Sequence, residues 1–187
     1  LSRLMEGTQA GDWLLLQNEC SALADAIRLG HEKGLNIAFN PAPMSDAVLD
    51  LPLDRCDLLF VNRGEATWLA GVAEDTDADA LLTALSERLP STRLVLTLGG
   101  EGAWHQHGGQ RQFQAASRVE AVDTTAAGDT FIGYYLAAMQ EQKTVADCLA
   151  LASTAAALGV QRQGAAASIP TRDEVDTALA SGQHAIR

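Results

Sequence analysis

Short apolar runs of strand length alternate with helical runs along this chain, and that alternation restricts it to one class of fold. Residues 13–17 (Trp-Leu-Leu-Leu-Gln) read as a buried strand, and residues 21–33 as a helix stopped by Gly34. Residues 35–39 form the next predicted strand, closed by Asn40-Pro-Ala-Pro43. A further strand is expected over 57–61, then a helix over 63–70 that ends at Gly71. Residues 77–89 form an amphipathic helix with Leu81, Leu82, Leu85 and Leu89 on one side, followed by a strand over 93–97. Residues 103–107 and 110–114 read as a hairpin across Gly108-Gly109, and the last third as helices over 127–141, 144–158 and 171–179. Strands that are apolar almost throughout need cover on both faces, as a parallel sheet between helical layers provides. The predicted fold is therefore α/β, a three-layer α-β-α Rossmann-like sheet, with residues 1–187 as one domain. No strand–helix unit precedes residues 13–17, so the chain reads as the later part of a larger doubly wound sheet.

In such sheets ligands bind beyond the carboxyl ends of the strands. The polar and glycine-rich segments fall there: Gln17-Asn-Glu19, Asn40-Pro-Ala-Pro43, Asn62-Arg-Gly-Glu65 and Thr97-Leu-Gly-Gly100. A net charge of −11 argues against a nucleic-acid partner, which requires cations for the phosphates. It leaves room for a small phosphate ligand, which backbone amides and a helix N-terminus can hold without net charge. No run of 18 apolar residues suggests a membrane span, and Leu1-Ser-Arg-Leu-Met-Glu does not read as a signal peptide. Cys20, Cys56 and Cys148 are odd in number and widely spaced, which fits buried free thiols in a reducing cytoplasm. His31, His105, His107 and His184 form no metal-binding pair, and His105 and His107 are expected on a solvated strand face. Trp13, Trp68 and Trp104 are expected to pack in the core or on the sheet. The acidic stretch from Glu74 to Asp79 reads as a solvated loop and helix start.

Ala126-Ala127-Gly128-Asp129 stands immediately before an apolar helical run, Phe131 to Met139. Small residues at the mouth of a helix let its free N–H groups face an anion closely, and the helix dipole adds partial positive charge. A carboxylate in the first turn can accept a proton from an attacking hydroxyl. Position, an electrostatic cradle and a base are most of what phosphoryl transfer needs. A helix-capping Asp would stand in the same place, and the residues alone leave both roles open.

The segment Asp123-Thr-Thr-Ala-Ala-Gly-Asp129-Thr-Phe is similar to the C-terminal signature of the PfkB (ribokinase-like) carbohydrate kinases, usually D-T-T-G-A-G-D. Leu16-Gln-Asn-Glu19, Asn40-Pro-Ala-Pro43, Asn62-Arg-Gly-Glu65, Thr97-Leu-Gly-Gly-Glu-Gly102 and Arg162-Gln-Gly-Ala-Ala-Ala-Ser168 follow in the order and approximate spacing of that family. Together they cover essentially the whole chain. The first two, with Ala126 where the family often has Gly, resemble its ribose-phosphorylating branch.

The resemblance implies an ATP-dependent kinase acting on the primary hydroxyl of a sugar, D-ribose first, with fructose, a keto-deoxy sugar acid, a nucleoside or an inactive nucleotide-binding fragment as alternatives. Asp129 would be the catalytic base and would contact the substrate, and the N–H groups of Ala126, Ala127 and Gly128 would form the anion hole. Asn62, Thr97, Gly99, Gly102, Gly128 and Ser153 would bind ATP. Glu19 would accept hydrogen bonds from sugar hydroxyls, and Glu65 would act on Mg²⁺ through water. Asp123, Thr125, Gly159, Arg162, Gly164 and Ser168 match a site for K⁺, a monovalent activator, several of them through backbone carbonyls. The resemblance also implies that the N-terminal part and the β lid of the fold are missing here, that the full-length protein is a homodimer in the cytoplasm, and that the isolated chain is poorly active.

Overall fold

A computed structural model of the chain describes residues 1–181, so His184 lies outside the described residues. Six strands form one mixed sheet in chain order: β1 (Trp13–Gln17), β2 (Asn36–Asn40), β3 (Leu58–Asn62), β4 (Arg93–Thr97), β5 (Gly102–His107) and β6 (Gln110–Ala115). Among the described residues six α-helices flank it: α1 (Leu23–Glu32), α2 (Arg63–Ala70), α3 (Ala78–Arg88), α4 (Ala127–Gln140), α5 (Val145–Gly159) and α6 (Arg172–Ala180). The α/β prediction holds, and each predicted element is present with its ends within two residues of the sequence reading.

The chain divides into two compact units. The first comprises residues 1–96 with 106–110, and the second residues 97–105 with 111–187. In the first, β1 runs parallel to β2 and β2 parallel to β3. Successive side chains of a strand point to opposite faces, so an unbroken buried run demands cover on both. Ile37, Ala38, Phe39, Leu58, Leu59, Phe60, Val61, Leu94, Val95 and Leu96 meet that demand. The amphipathic stripe of α3 is buried as read, with Leu81, Leu82, Leu85 and Leu89 all inside. Strand β1 departs from the reading, because its residues are only half-buried and Leu15 is 45% exposed. It ends the strand order, so it has a hydrogen-bonded neighbour on one side alone.

In the second unit α4 packs along α5, and α5 against α6. The tip of the β5–β6 hairpin, residues 106–110, belongs to the first unit and turns on Gly108 (φ 55°) and Gly109 (φ 79°), the two positive φ values that a two-residue turn of right-handed twist requires. Trp104 packs on Phe113 across the hairpin, ring centroids 4.8 Å apart.

Three side chains stand otherwise than expected. His105 is buried rather than solvated, because its Nδ1 meets the Tyr135 hydroxyl at 2.8 Å beneath α4. Cys20 is exposed beyond the end of β1, whereas Cys56 and Cys148 are buried, and burial pushes the Cys56 thiol up to about 12. Trp68 is 44% exposed, on the outer side of a helix whose inner side is filled by Ala66 and Leu69.

Candidate active site

The second unit carries the helix mouth. Asp123 folds the loop back on itself, its Oδ1 accepting from the Thr125 N–H at 2.9 Å. Ala127 N–H closes a turn onto the Thr124 carbonyl at 3.2 Å, and Thr130 N–H donates to the Ala126 carbonyl at 2.9 Å to start α4. Ala126 is the N-cap in a left-handed conformation, φ 60° and ψ 12°, with no side chain to cap the helix. Asp129 therefore stands in the first turn and is not the N-cap residue. The N–H groups of Ala126 and Gly128 take no hydrogen-bond partner among the described residues. That of Ala127 is engaged by the turn.

A largely apolar cavity of about 470 Å³ opens beside this mouth, within the size range of small-molecule sites. Thr97, Gly99, Gly102, Gly128 and Ser153 line it, five positions expected at the nucleotide and drawn from two motifs and helix α5, together with Ala127. Its two loop glycines differ. A Cβ on Gly99 (φ 56°) would meet nothing within 4 Å, so the backbone there lies open to a ligand. A Cβ on Gly102 (φ 132°) would stand 2.2 Å from the Gln114 carbonyl oxygen, so this glycine is required first by the passage of β6.

Below the mouth, two loops are stitched together. Asp123 Oδ2 accepts from Gly164 N–H at 3.0 Å, and the Val160 carbonyl accepts from the N–H groups of Val122 (2.7 Å) and Asp123 (3.1 Å). The Thr125 hydroxyl, then the N–H groups of Gly164 and Thr125, hold the Asp123 carboxyl down at about 2. Ser168 is buried and donates to the Ala165 carbonyl at 2.6 Å, and its own carbonyl lies against Gly159. The Arg162 N–H donates to the Gly159 carbonyl at 3.0 Å. The six positions expected around a cation thus lie on two hydrogen-bonded loops.

The first unit gathers the other polar strand ends. Asn62 caps α2 by accepting from Glu65 N–H at 2.9 Å. Glu65 answers by accepting from the Asn62 N–H (2.9 Å) and Nδ2 (2.8 Å). This reciprocal box is the N-terminal signature that Asn-x-x-Glu before an apolar run encodes. Asn40, buried at the end of β2, donates to the Phe60 carbonyl at 3.0 Å and also to Glu65, and accepts from Gln17 Nε2 at 3.3 Å. Burial pushes the Glu65 carboxyl up from its ordinary value, against those hydrogen bonds. Asn18 ties the end of β1 to the next loop by donating to the Pro43 carbonyl (2.6 Å) and Ser45 Oγ (3.1 Å), across a cis Ala42–Pro43 peptide. Glu19 is exposed beside it. Among the described residues no three His, Cys, Asp or Glu side chains cluster as a metal cage.

Residues 7–172 match the pfkB family carbohydrate kinase profile, a span that contains every motif described above. The chain belongs to the pfkB family of carbohydrate kinases. It is 35% identical over 170 residues to the ribokinase of Schizosaccharomyces pombe, covering 87% of this chain and 53% of that protein. It is 34% identical over 170 residues to the ribokinase of Haemophilus influenzae, covering 87% and 54%. The structure of Arabidopsis thaliana ribokinase complexed with ribose and ATP superposes with a TM-score of 0.78 at 28% identity, over 89% of this chain and 55% of that one. The chain spans about half the length of the curated relatives it matches.

The cavity of this pfkB-family chain also has walls that motif reading overlooked. Beside Ser153, already expected at the nucleotide, Ala156 and Ala157 of α5 and Val160 just past its end line it together. Their spacing of three, four and seven residues marks one helix face, a periodicity visible in the sequence. Ser117, Arg118 and Val119, between β6 and the Asp123 loop, line it as well, and no local pattern announced them.

Proposed function

We propose that this chain is the ATP-handling, base-bearing part of a kinase that phosphorylates the primary hydroxyl of D-ribose, giving D-ribose 5-phosphate and ADP. The observation that carries this reading is the convergence of Thr97, Gly99, Gly102, Gly128 and Ser153 on one cavity that ends at the mouth of α4. Ribose and ATP are the molecules bound in the Arabidopsis ribokinase structure.

In this reading the γ-phosphoryl group of ATP lies at the mouth of α4. Asp129 takes the proton of the sugar hydroxyl as its oxygen bonds to phosphorus and the bond to ADP breaks. The N–H groups of Ala126 and Gly128, with the helix dipole, stabilise charge on the transferring group. That of Ala127 joins them only by leaving the Thr124 carbonyl. Asn62 serves the phosphates and Glu19 the sugar hydroxyls. The Glu65 carboxylate is held by amide donors on both oxygens yet keeps lone pairs to spare, which suits a hydrated Mg²⁺. When bound, Mg²⁺ would neutralise charge on the phosphates. The oxygen-rich loops at Asp123, Thr125, Gly159, Arg162, Gly164 and Ser168 suit K⁺, with Asp123 supplying the one anionic group among these six positions. The free cysteines accord with a reducing compartment such as the cytoplasm.

The test is Asp129→Ala in the full-length gene product, with ADP release followed for ribose, fructose and adenosine and ATP binding followed by calorimetry. Loss of about 10²–10⁴-fold in kcat with ATP binding retained is expected. Unchanged turnover would remove the base assignment, and faster turnover on fructose or adenosine would change the substrate.

A further inference from the structure

The 159–168 loop is held from two sides. Asp123 and the 122–123 backbone grip one side, as described. On the other, the Arg162 guanidinium leaves the loop and pairs with Glu174 on α6, Nη2 to Oε1 at 2.6 Å and Nη1 to Oε2 at 3.4 Å. Glu174 is at the same time the reciprocal cap of its own helix, accepting from the Thr171 N–H at 2.7 Å and hydroxyl at 3.1 Å. The first turn of α6 is in turn fastened to the end of α4. Arg172 donates to Glu141 at 2.6 and 3.0 Å and to Asp176 at 3.0 Å, and the Tyr134 hydroxyl donates to the Pro170 carbonyl at 2.6 Å. One carboxylate, Glu174, thus joins the loop to an anchored helix.

We propose that Glu174 is a positioning residue for monovalent-cation binding: by holding the Arg162 side chain outward it fixes the backbone of the 159–168 loop against the Asp123 loop. This rests on the K⁺ reading above. A hard cation is bound by several oxygens at once, and a loop tethered on one side only must be ordered by the ion, which weakens binding by the cost of that ordering. An exposed pair of this kind contributes little to global stability, so its effect belongs to the loop.

Glu174→Gln removes the charge while keeping a residue able to close the capping box. The measurement is thermal melting against KCl, with choline chloride holding ionic strength constant. The unaltered protein melts higher as K⁺ rises, as any ligand of the folded state requires. Glu174→Gln is expected to melt within about 2 °C of it in choline alone, yet to need about 2- to 5-fold more K⁺ for the same rise. Arg162→Met is expected to shift the K⁺ midpoint equally, and the double variant to shift it no further. An unmoved midpoint in Glu174→Gln, including one accompanied by a lower melting temperature in choline, overturns the positioning role and leaves the K⁺ reading standing. No response of the unaltered protein to K⁺ beyond choline overturns both.

Discussion

Ala126 holds the turn into α4 with a backbone that glycine adopts at no cost. At φ 60° the Cβ crowds the neighbouring carbonyl, a penalty of roughly 1 kcal/mol for an L-residue. The pfkB signature usually carries glycine at this position, and the dihedral gives the reason. Ala126→Gly is accordingly expected to raise the melting temperature by about 2–4 °C, read by calorimetry. A lower melting temperature would mean that the added freedom of glycine in the unfolded chain outweighs the relieved strain. Two residues on, Gly128 lies open on its side chain's side, and nothing within 4 Å occupies the place of a Cβ. The two small residues therefore answer different demands, one for backbone shape and one for free space.

Among the elements, the hairpin and its entry loop show how one motif serves both packing and ligand. Gly99 stands clear of its surroundings, but Gly102 begins β5 directly beneath β6. A methyl group there would meet a backbone carbonyl oxygen, the Ala115 Cα and the Phe113 ring at once, at a φ of 132°. Gly102→Ala is expected to cost about 3 kcal/mol or more and to lower the melting temperature by roughly 6–12 °C. Gly99→Ala, strained at φ 56° but unobstructed, is expected to cost less. Equal losses in the two variants, read by calorimetry, would contradict the close approach of β6. Helix α5 divides its faces in a similar way. Cys148, Leu149, Leu151, Ala152 and Ala155 are buried, while Ser153, Ala156 and Ala157, with Val160 just past its end, face the cavity.

Across the whole molecule, acid is the condition to which these contacts respond. The Thr125 hydroxyl and the Arg162 guanidinium hold the Asp123 and Glu174 carboxyls down at about 2, and Arg172 holds Glu141 below its ordinary value as well, each effect reduced by solvent screening at these exposed sites. A carboxylate whose folded-state value is depressed contributes stability that is present above its unfolded value and lost as pH falls through the folded one. Glu65 has the opposite sign, since burial raises it, and its contribution declines as pH rises above 4.5. The urea midpoint is therefore expected to fall steadily between about pH 4.5 and pH 2, and Asp123→Asn to flatten that fall. A midpoint constant across this range would show that these hydrogen bonds do not persist in solution.

Periodicity sufficed for the six strands, the six helices and the α/β class, because a strand buried on both faces and a helix buried on one leave distinct spacings in a sequence. Asn62 and Glu65 stood out as a polar strand end and through the family resemblance, and the capping box they form is a local structure written three residues apart. What depends on distant residues was not legible. His105 looked like a solvated histidine until Tyr135, thirty positions later, came to lie over it. Gly102 was read as a ligand contact, and only the passage of β6 beside it showed that packing demands a glycine there as well. Arg118 joined the cavity wall without any local pattern, and Glu174 gripped a loop twelve residues away in the chain. Spacing along the chain determined which elements form and which small and acidic residues stand at their ends. Only tertiary packing decided which of those ends share a cavity, because that depends on surfaces that meet after the elements exist.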